Sequence, residues 1–288
     1  MFNNFKLVIF MSCLIFLFMF IGQMIGGRNG MMVAFTLSIA MNFFGYWFSD
    51  TIVLYSYGAR PLAPSEAPEI HEIVERLAAR AKIPKPAVYF VDNPMPNAFA
   101  TGRGPSKAAV AVTGGLLQIL NLHEIEGVLA HEFAHIINRD TLISTIVASF
   151  AGAIYMLADM MRMAMIFGGG HSDREDNGGG ALGYLFIIIV APIVAMILQM
   201  AISRSREYKA DYYGSMLAGD NTGLMSSLIK LEQGNRALSG RYNLASPATA
   251  PLCIVNPFSG RALFNIFSTH PATEDRIREL EKIRFDGR

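Results

Sequence analysis

The sequence predicts a mainly α membrane protein: four transmembrane helices carrying a water-exposed α+β domain with a small β-sheet. Three observations lead there. Of the 288 residues 52% are hydrophobic and only 16% charged, against roughly a quarter charged in an ordinary soluble chain, and the mean hydropathy is +0.34. The apolar residues are gathered into long uncharged runs. The charged residues are gathered into two stretches that separate or follow those runs.

The runs set the spans. Between Lys6 and Arg28 lie 21 uncharged residues, between Arg28 and Asp50 another 21, between Asp140 and Asp159 18, and between Asp176 and Arg204 27. A helix needs about 20 apolar residues to cross a bilayer, which places spans near 5–25, 31–55, 142–166 and 181–202. The first run has no small-residue cleavage site and a second run follows at once, unlike a secretory signal. Asp159 and Arg162 interrupt the third, three residues apart on one helix face, and Pro192 kinks the fourth.

Lys6, Arg60, Arg139, Arg204, Arg206 and Lys209 flank one side of these spans. The 168–180 connection holds one Arg against Asp173, Glu175 and Asp176. Positive residues stay in the cytoplasm, so both termini and the polar chain are expected there, with 168–180 as an outer loop. The organisation that follows is a membrane hairpin (1–57), a first cytoplasmic part (58–140), a second hairpin (141–202) and a second cytoplasmic part (203–288). Two cysteines, Cys13 and Cys253, exclude a disulfide framework, and a net charge of +1 gives no reason to expect nucleic acid.

Within the polar stretches, Pro68 introduces a helix through Ile70, Ile73, Val74 and Leu77. Short β-like runs follow at Ala87–Val91, Ala98–Thr101 and Ala108–Thr113. Asn121 caps a helix from Leu122 to about Asn138. The chain after 203 reads as mostly helical, ending in a charged helix from about Thr273 to Phe285.

The Asn121-capped helix carries His131-Glu132-Phe133-Ala134-His135. Residues four apart on a helix differ by about 40° in azimuth and 6 Å along the axis, so both imidazoles can reach one metal ion with Glu132 beside them. Zinc in a hydrolytic site takes three protein ligands and keeps one position open. His123 is about 12 Å away along the same helix, His171 lies on the predicted outer loop, and His71 reads as a surface residue. Glu207 and Asp211 share a helix face just after the fourth span. One of them can bind the metal while the other orients an imidazole, and Asp140 can serve a similar orienting purpose.

His131–His135 with Glu207-Tyr208-Lys209-Ala210-Asp211, 72 residues after His135, resembles the HExxH and ExxAD pair of the M48 metallopeptidases. The span order, Asn97–Gly102 and Asn138-Arg139-Asp140 are similar to those of HtpX-type membrane proteases. The resemblance implies a cytoplasmic, zincin-like catalytic domain in the bacterial inner membrane, one Zn²⁺ held by His131, His135 and Glu207, and Glu132 as catalytic carboxylate. It further implies His270 and Arg276, six residues apart near the C-terminus, as donors to a developing oxyanion. Membrane-protein quality control, the stress response and a functional link to the membrane AAA protease FtsH are implied as well.

Two further expectations come from the residues. Asn97, Ala98, Phe99 and Ala100 can form a sheet edge on which an extended substrate peptide adds as a strand. The metal, a few residues from two spans, sits close to the membrane surface, so cytoplasmic regions of membrane proteins are the natural substrates. An intramembrane protease is disfavoured by Glu124, Glu126, Asn138, Arg139 and Asp140 around the motif. A non-proteolytic zinc-binding scaffold or transporter is the alternative, and it has no need of Glu132.

Overall fold

The computed structural model describes residues 2–146, 204–238, 252–254 and 271–285. Helix α1 (Phe2–Ser56) is interrupted at Gly26 and Gly27, where φ/ψ are −134/18° and 57/−145°. The second value is open to glycine and strained for any residue with a Cβ. The halves fold back on each other: a Cβ on Gly30 would stand 2.3 Å from the Gly22 carbonyl oxygen, and the Asn42 Nδ2 donates to the Met11 carbonyl at 3.3 Å. The first two predicted spans are thus the arms of one hairpin. Among the described residues, Gly26–Ser56 is the segment long and apolar enough to cross a membrane, with Met11–Met24 a shorter apolar helix. The third and fourth spans and the 168–180 loop lie outside the described residues, apart from helical 142–146.

The last turns of α1 pack into a protein core. Val53 and Leu54 are buried with Val91, Phe99, Ala109 and Ala111, and the Tyr57 ring lies 4.7 Å from that of Phe99. The end of the predicted second span is thus buried against protein. A hydropathy window does not distinguish a lipid surround from a packed interior.

A four-stranded sheet follows, in the order β1-β2-β4-β3. It comprises β1 (Arg60–Pro61), β2 (Ala87–Val91), β3 (Ala98–Gly102) and β4 (Ala108–Thr113). β2 is parallel to β4, while β1 and β3 pair antiparallel with β2 and β4. The three longer strands occupy the predicted runs; β1 is too short to leave a periodic trace. Thr113 ends β4 and caps α3 (Gly114–Ile119) by accepting from the Leu116 N–H. β3, at the sheet edge, runs beside α4 (Leu122–Ile137).

Helix α4 is the central element. Asn121 and Glu124 form a reciprocal capping box, and buried Glu124 also takes Lys230 at 2.8 Å and the Ser226 hydroxyl from α6 (Thr222–Leu238). Arg76 of α2 (Pro68–Ala81) forks onto Glu126 at 3.2 and 2.7 Å. The core beneath joins Val74 and Leu77 of α2, Val110 and Val112 of β4, Val128 and Phe133 of α4, and Leu224 and Leu228 of α6. The remaining helices are α5 (Arg204–Ala218) and α7 (Thr273–Glu281), the latter ending four residues before the predicted boundary.

Glu124 supplies half of the α4 cap and the only carboxylate that Lys230 meets among the described residues. Glu124→Ala is expected to lower stability by about 1–3 kcal/mol, read as a drop in the unfolding midpoint of the full chain in detergent. Lys230→Ala should cost less, since the capping box survives it.

Candidate metal centre

Four local features bring the site together. The first is the pitch of α4, which puts His131 and His135 on one face; their rings meet edge to face with centroids 4.8 Å apart. The second is the end of α4. Arg139 adopts φ 57°, so the chain turns sharply and a new helical segment begins at 140. That turn returns the Asp140 carboxylate to the His135 Nδ1 at 3.4 Å.

The third is the approach of α5. A Cβ on Gly214 would stand 2.8 Å from both the N and Cα atoms of His131, so the two helices touch backbone to backbone at the metal-binding residue. Glu207, Asp211 and Gly214 recur at helical spacing on this buried face. The fourth is β3, whose Ala100 N–H donates to the Glu132 Oε2 at 2.8 Å.

The donor atoms fit one zinc ion. The two Nε2 atoms lie 3.2 Å apart, Glu207 Oε2 is 3.7 Å from that of His131, and Glu207 Oε1 is 3.6 Å from that of His135. Ligands about 2.0–2.1 Å from a tetrahedral zinc stand about 3.3–3.4 Å from one another. The ring orientations agree. The His131 Nδ1 lies 2.9 Å from Asp211 Oδ1 and the His135 Nδ1 3.4 Å from Asp140 Oδ2, so each ring has its Nδ1 engaged and turns its Nε2, the nitrogen a metal would take, toward the other ring and Glu207. Three electron-rich atoms converging in a buried place call for a cation. Glu207 is thereby the metal-facing member of the ExxxD pair and Asp211 the orienting one.

Burial and the neighbouring charges move these groups in different directions. Burial pushes the Glu132 carboxyl up to about 7, against the pull of His135 and the Ala100 N–H. Burial drives His131 down to about 4, despite Asp211. For His135 burial acts downward too, but the hydrogen bond to Asp140 and the charge of Glu207 outweigh it and hold the ring up at about 9. Asp211 stays below its ordinary value although burial opposes this, because Arg276 neutralises it.

Arg276 is placed differently from the sequence expectation. It is 1% exposed and lies behind His131, its Nε and Nη2 forked onto Asp211 at 2.9 and 2.6 Å and its Nη1 donating to the Ile254 carbonyl at 2.9 Å. A guanidinium with these commitments holds Asp211 in place rather than meeting an oxyanion. His270 lies outside the described residues.

A cavity opens over the site, lined by Phe99, Ala100, Glu132, Ser144, Arg206 and Cys253 together with the metal-facing residues. Of the predicted edge residues, Phe99 and Ala100 reach it. Ala98 is wholly buried behind them, and the Asn97 carboxamide is engaged elsewhere, donating to the Leu252 carbonyl and accepting from the Ile254 N–H, both at 3.1 Å. Asn97 thus holds the 252–254 wall of the cavity. His71 and His123 are occupied away from the site, by the Leu62 carbonyl and by Asp220.

Sequence reasoning passed over Gly214, the Ala100 N–H and Asn97's hold on 252–254. A glycine seven residues beyond Glu207, on the same helix face, was the available signal for the first.

Comparison with known proteins bears on this geometry. Residues 64–284 match the pattern described as "Peptidase family M48". The chain is 52% identical over 266 residues to "Protease HtpX homolog" of Pyrococcus furiosus, covering 92% of this chain and 91% of that one. It is 49% identical over 282 residues to "Protease HtpX homolog" of Syntrophobacter fumaroxidans, covering 98% and 99%. Among solved structures, "Crystal Structure of S. mikatae Ste24p" superposes with a TM-score of 0.50 at 19% identity, over 94% of this chain and 62% of that one, a likeness of fold alone.

Two substitutions test the assembly without touching a ligand. Asp211→Asn should weaken zinc binding about 10–100-fold, measured by competition with a chromogenic chelator. Gly214→Val must move α5 off α4, and is expected to lower zinc content along with a stability loss of about 1–3 kcal/mol. Unchanged zinc stoichiometry in both would contradict the described contacts.

Proposed function

Because the chain belongs to peptidase family M48 and is a zinc metalloprotease, we propose that it cleaves cytoplasmic regions of membrane proteins, acting as an endopeptidase in membrane-protein quality control and stress. The observation that carries the reading is the convergence of His131, His135 and Glu207 on one point with the Glu132 carboxylate beside them.

Zinc bound there supplies Lewis acidity toward a peptide carbonyl and toward water. The rest falls to the chain's own residues. Glu132 takes the proton of the attacking water and returns one to the leaving amine, so no covalent acyl-enzyme forms. The Ala100 N–H fixes one carboxylate oxygen and leaves the other for the water. Phe99 and Ala100 form the cleft wall along which a substrate strand lies. Asp211 and Asp140 hold the imidazoles, and Arg276 holds Asp211.

The proposal extends to topology and setting. Four spans cross a bacterial inner membrane, with both termini and the two catalytic parts, 58–140 and 203–288, in the cytoplasm between and after the hairpins 1–57 and 141–202. The apolar Gly26–Ser56 segment and the positive residues flanking the runs support this. His270 is proposed as an oxyanion donor, and a functional link to FtsH belongs to the same reading.

Glu132→Gln separates binding from catalysis. It should retain one zinc per chain and lose cleavage of a model membrane substrate by at least about 100-fold, as expected for removing a general base. A chelator should abolish wild-type cleavage and added zinc restore it. Wild-type rates from the Gln variant would sink the mechanism.

A further inference from the structure

Where α1 passes from its apolar run into the protein core, it carries a cluster of exposed rings. Phe43, Phe44, Trp47 and Phe48 are each about half exposed, and they contact one another: Phe43–Trp47 centroids are 6.1 Å apart and Phe44–Phe48 5.9 Å. Half-exposed aromatic rings at the end of an apolar helix mark a membrane–water interface. Beyond them come Asp50 and then Val53 and Leu54, which are covered by protein. The boundary between lipid and water therefore falls at the level of Trp47 to Asp50.

One piece of the water-exposed domain reaches that level. The β3–β4 connection places the Arg103 guanidinium over the Trp47 ring, 4.7 Å from its centroid. The connection is stiff. Gly102 has φ 125° and Gly104 φ 149°, a Cβ on Gly102 would meet the Lys107 carbonyl oxygen at 2.1 Å, and Pro105–Lys107 forms a turn of 3₁₀ helix.

Among the described residues the two cations of this tip meet no anion. Neither Arg103 nor Lys107 forms an ion pair among the described residues, and the Arg103 Nε is buried without a hydrogen-bond partner. Lys107 is exposed. A guanidinium seated on an aromatic face at the interface, with a second, exposed cation four residues on, fits a phosphodiester.

We infer that the β3–β4 tip, through Arg103 and Lys107 with Trp47, binds the headgroup phosphate of an anionic phospholipid and so fixes the height of the cleft above the bilayer. Phe99 and Ala100, which line the cavity, lie three to four residues before Arg103 on the same strand and its turn. A headgroup held at the tip therefore sets the position of the cleft wall.

Trp47 is the chain's single tryptophan and reports its own site. The full zinc-loaded chain in non-ionic detergent would be titrated with mixed micelles of phosphatidylglycerol or of phosphatidylcholine, reading tryptophan emission. Phosphatidylglycerol should half-saturate at about fivefold lower mole fraction per cation engaged. Arg103→Gln should remove most of this preference, Lys107→Gln part of it, and Arg103→Lys should keep it in part. Zinc content of each variant reports folding, and if Arg103→Gln fails that check, the Lys107→Gln and Arg103→Lys titrations decide. Coincident wild-type titrations for the two lipids, a full preference in the glutamine variants, or an equal emission change from inorganic phosphate with phosphatidylcholine micelles would each overturn the proposal.

Discussion

The backbone contact between α4 and α5 at His131 is the constraint on which the metal site rests. Glu207 and Asp211 come from a helix 72 residues downstream of the HExxH motif, and each must meet a different nitrogen of the same imidazole. Glu207 approaches Nε2 and Asp211 approaches Nδ1, so α5 has to run across His131 within reach of both. Any side chain on Gly214 would hold the helices apart by more than a ligand distance tolerates. Local pitch supplies the two imidazoles; the third ligand depends on this close approach.

The charge balance explains why so polar a cluster can be buried. Asp211 is matched by Arg276, and Asp140 faces Arg206 at 3.7 Å. Taken pairwise these cancel, which leaves Glu207 and Glu132 as the buried carboxylates beside the two imidazoles. Isolated charge in a low-dielectric interior is costly unless paired or coordinated to a metal. Carboxylates beside two imidazole nitrogens are a donor set suited to a divalent cation, while the Glu132 carboxyl is raised chiefly by its burial, with the Glu207 charge adding to it. A site of this kind gains most of its fixed geometry from the counter-ions around it. Asp211, Asp140 and Arg276 therefore matter as much as the atoms facing the metal.

What could be read from the sequence follows the same division between local and distant causes. The HExxH pair, the Asn121 cap, the three longer strands and the start of α7 were legible because pitch, capping and β-branched alternation act within a few residues. Glu207 was reachable only through charge spacing and family resemblance. The partner of Arg276 was not legible, since nothing near it in the chain announces a carboxylate 65 residues away. Asn97 was assigned to substrate for its place on an edge strand, whereas its carboxamide serves 252–254, 155 residues downstream. The packing of Val53 and Leu54 against the sheet was not legible, since they are as apolar as any lipid-facing residue and only tertiary packing reveals what surrounds them.

That packing ties the membrane to the chemistry. Phe99 packs on Tyr57 just beyond α1 and lines the cavity, Ala100 next to it holds Glu132, and Thr101 shares a hydroxyl contact at 3.1 Å with Thr145 at the start of the third predicted span. Five consecutive buried residues of β3 thus stand between the helical membrane hairpin and the metal ligands. α1 is for this reason part of the cleft's support as well as an anchor. Removing it would uncover Val91, Phe99 and Ala111, an apolar face of the same sheet whose edge strand β3 positions the general base. The membrane segment and the catalytic domain share one core, and the height and tilt of the cleft over the bilayer are fixed by the same contacts that hold Glu132 in place.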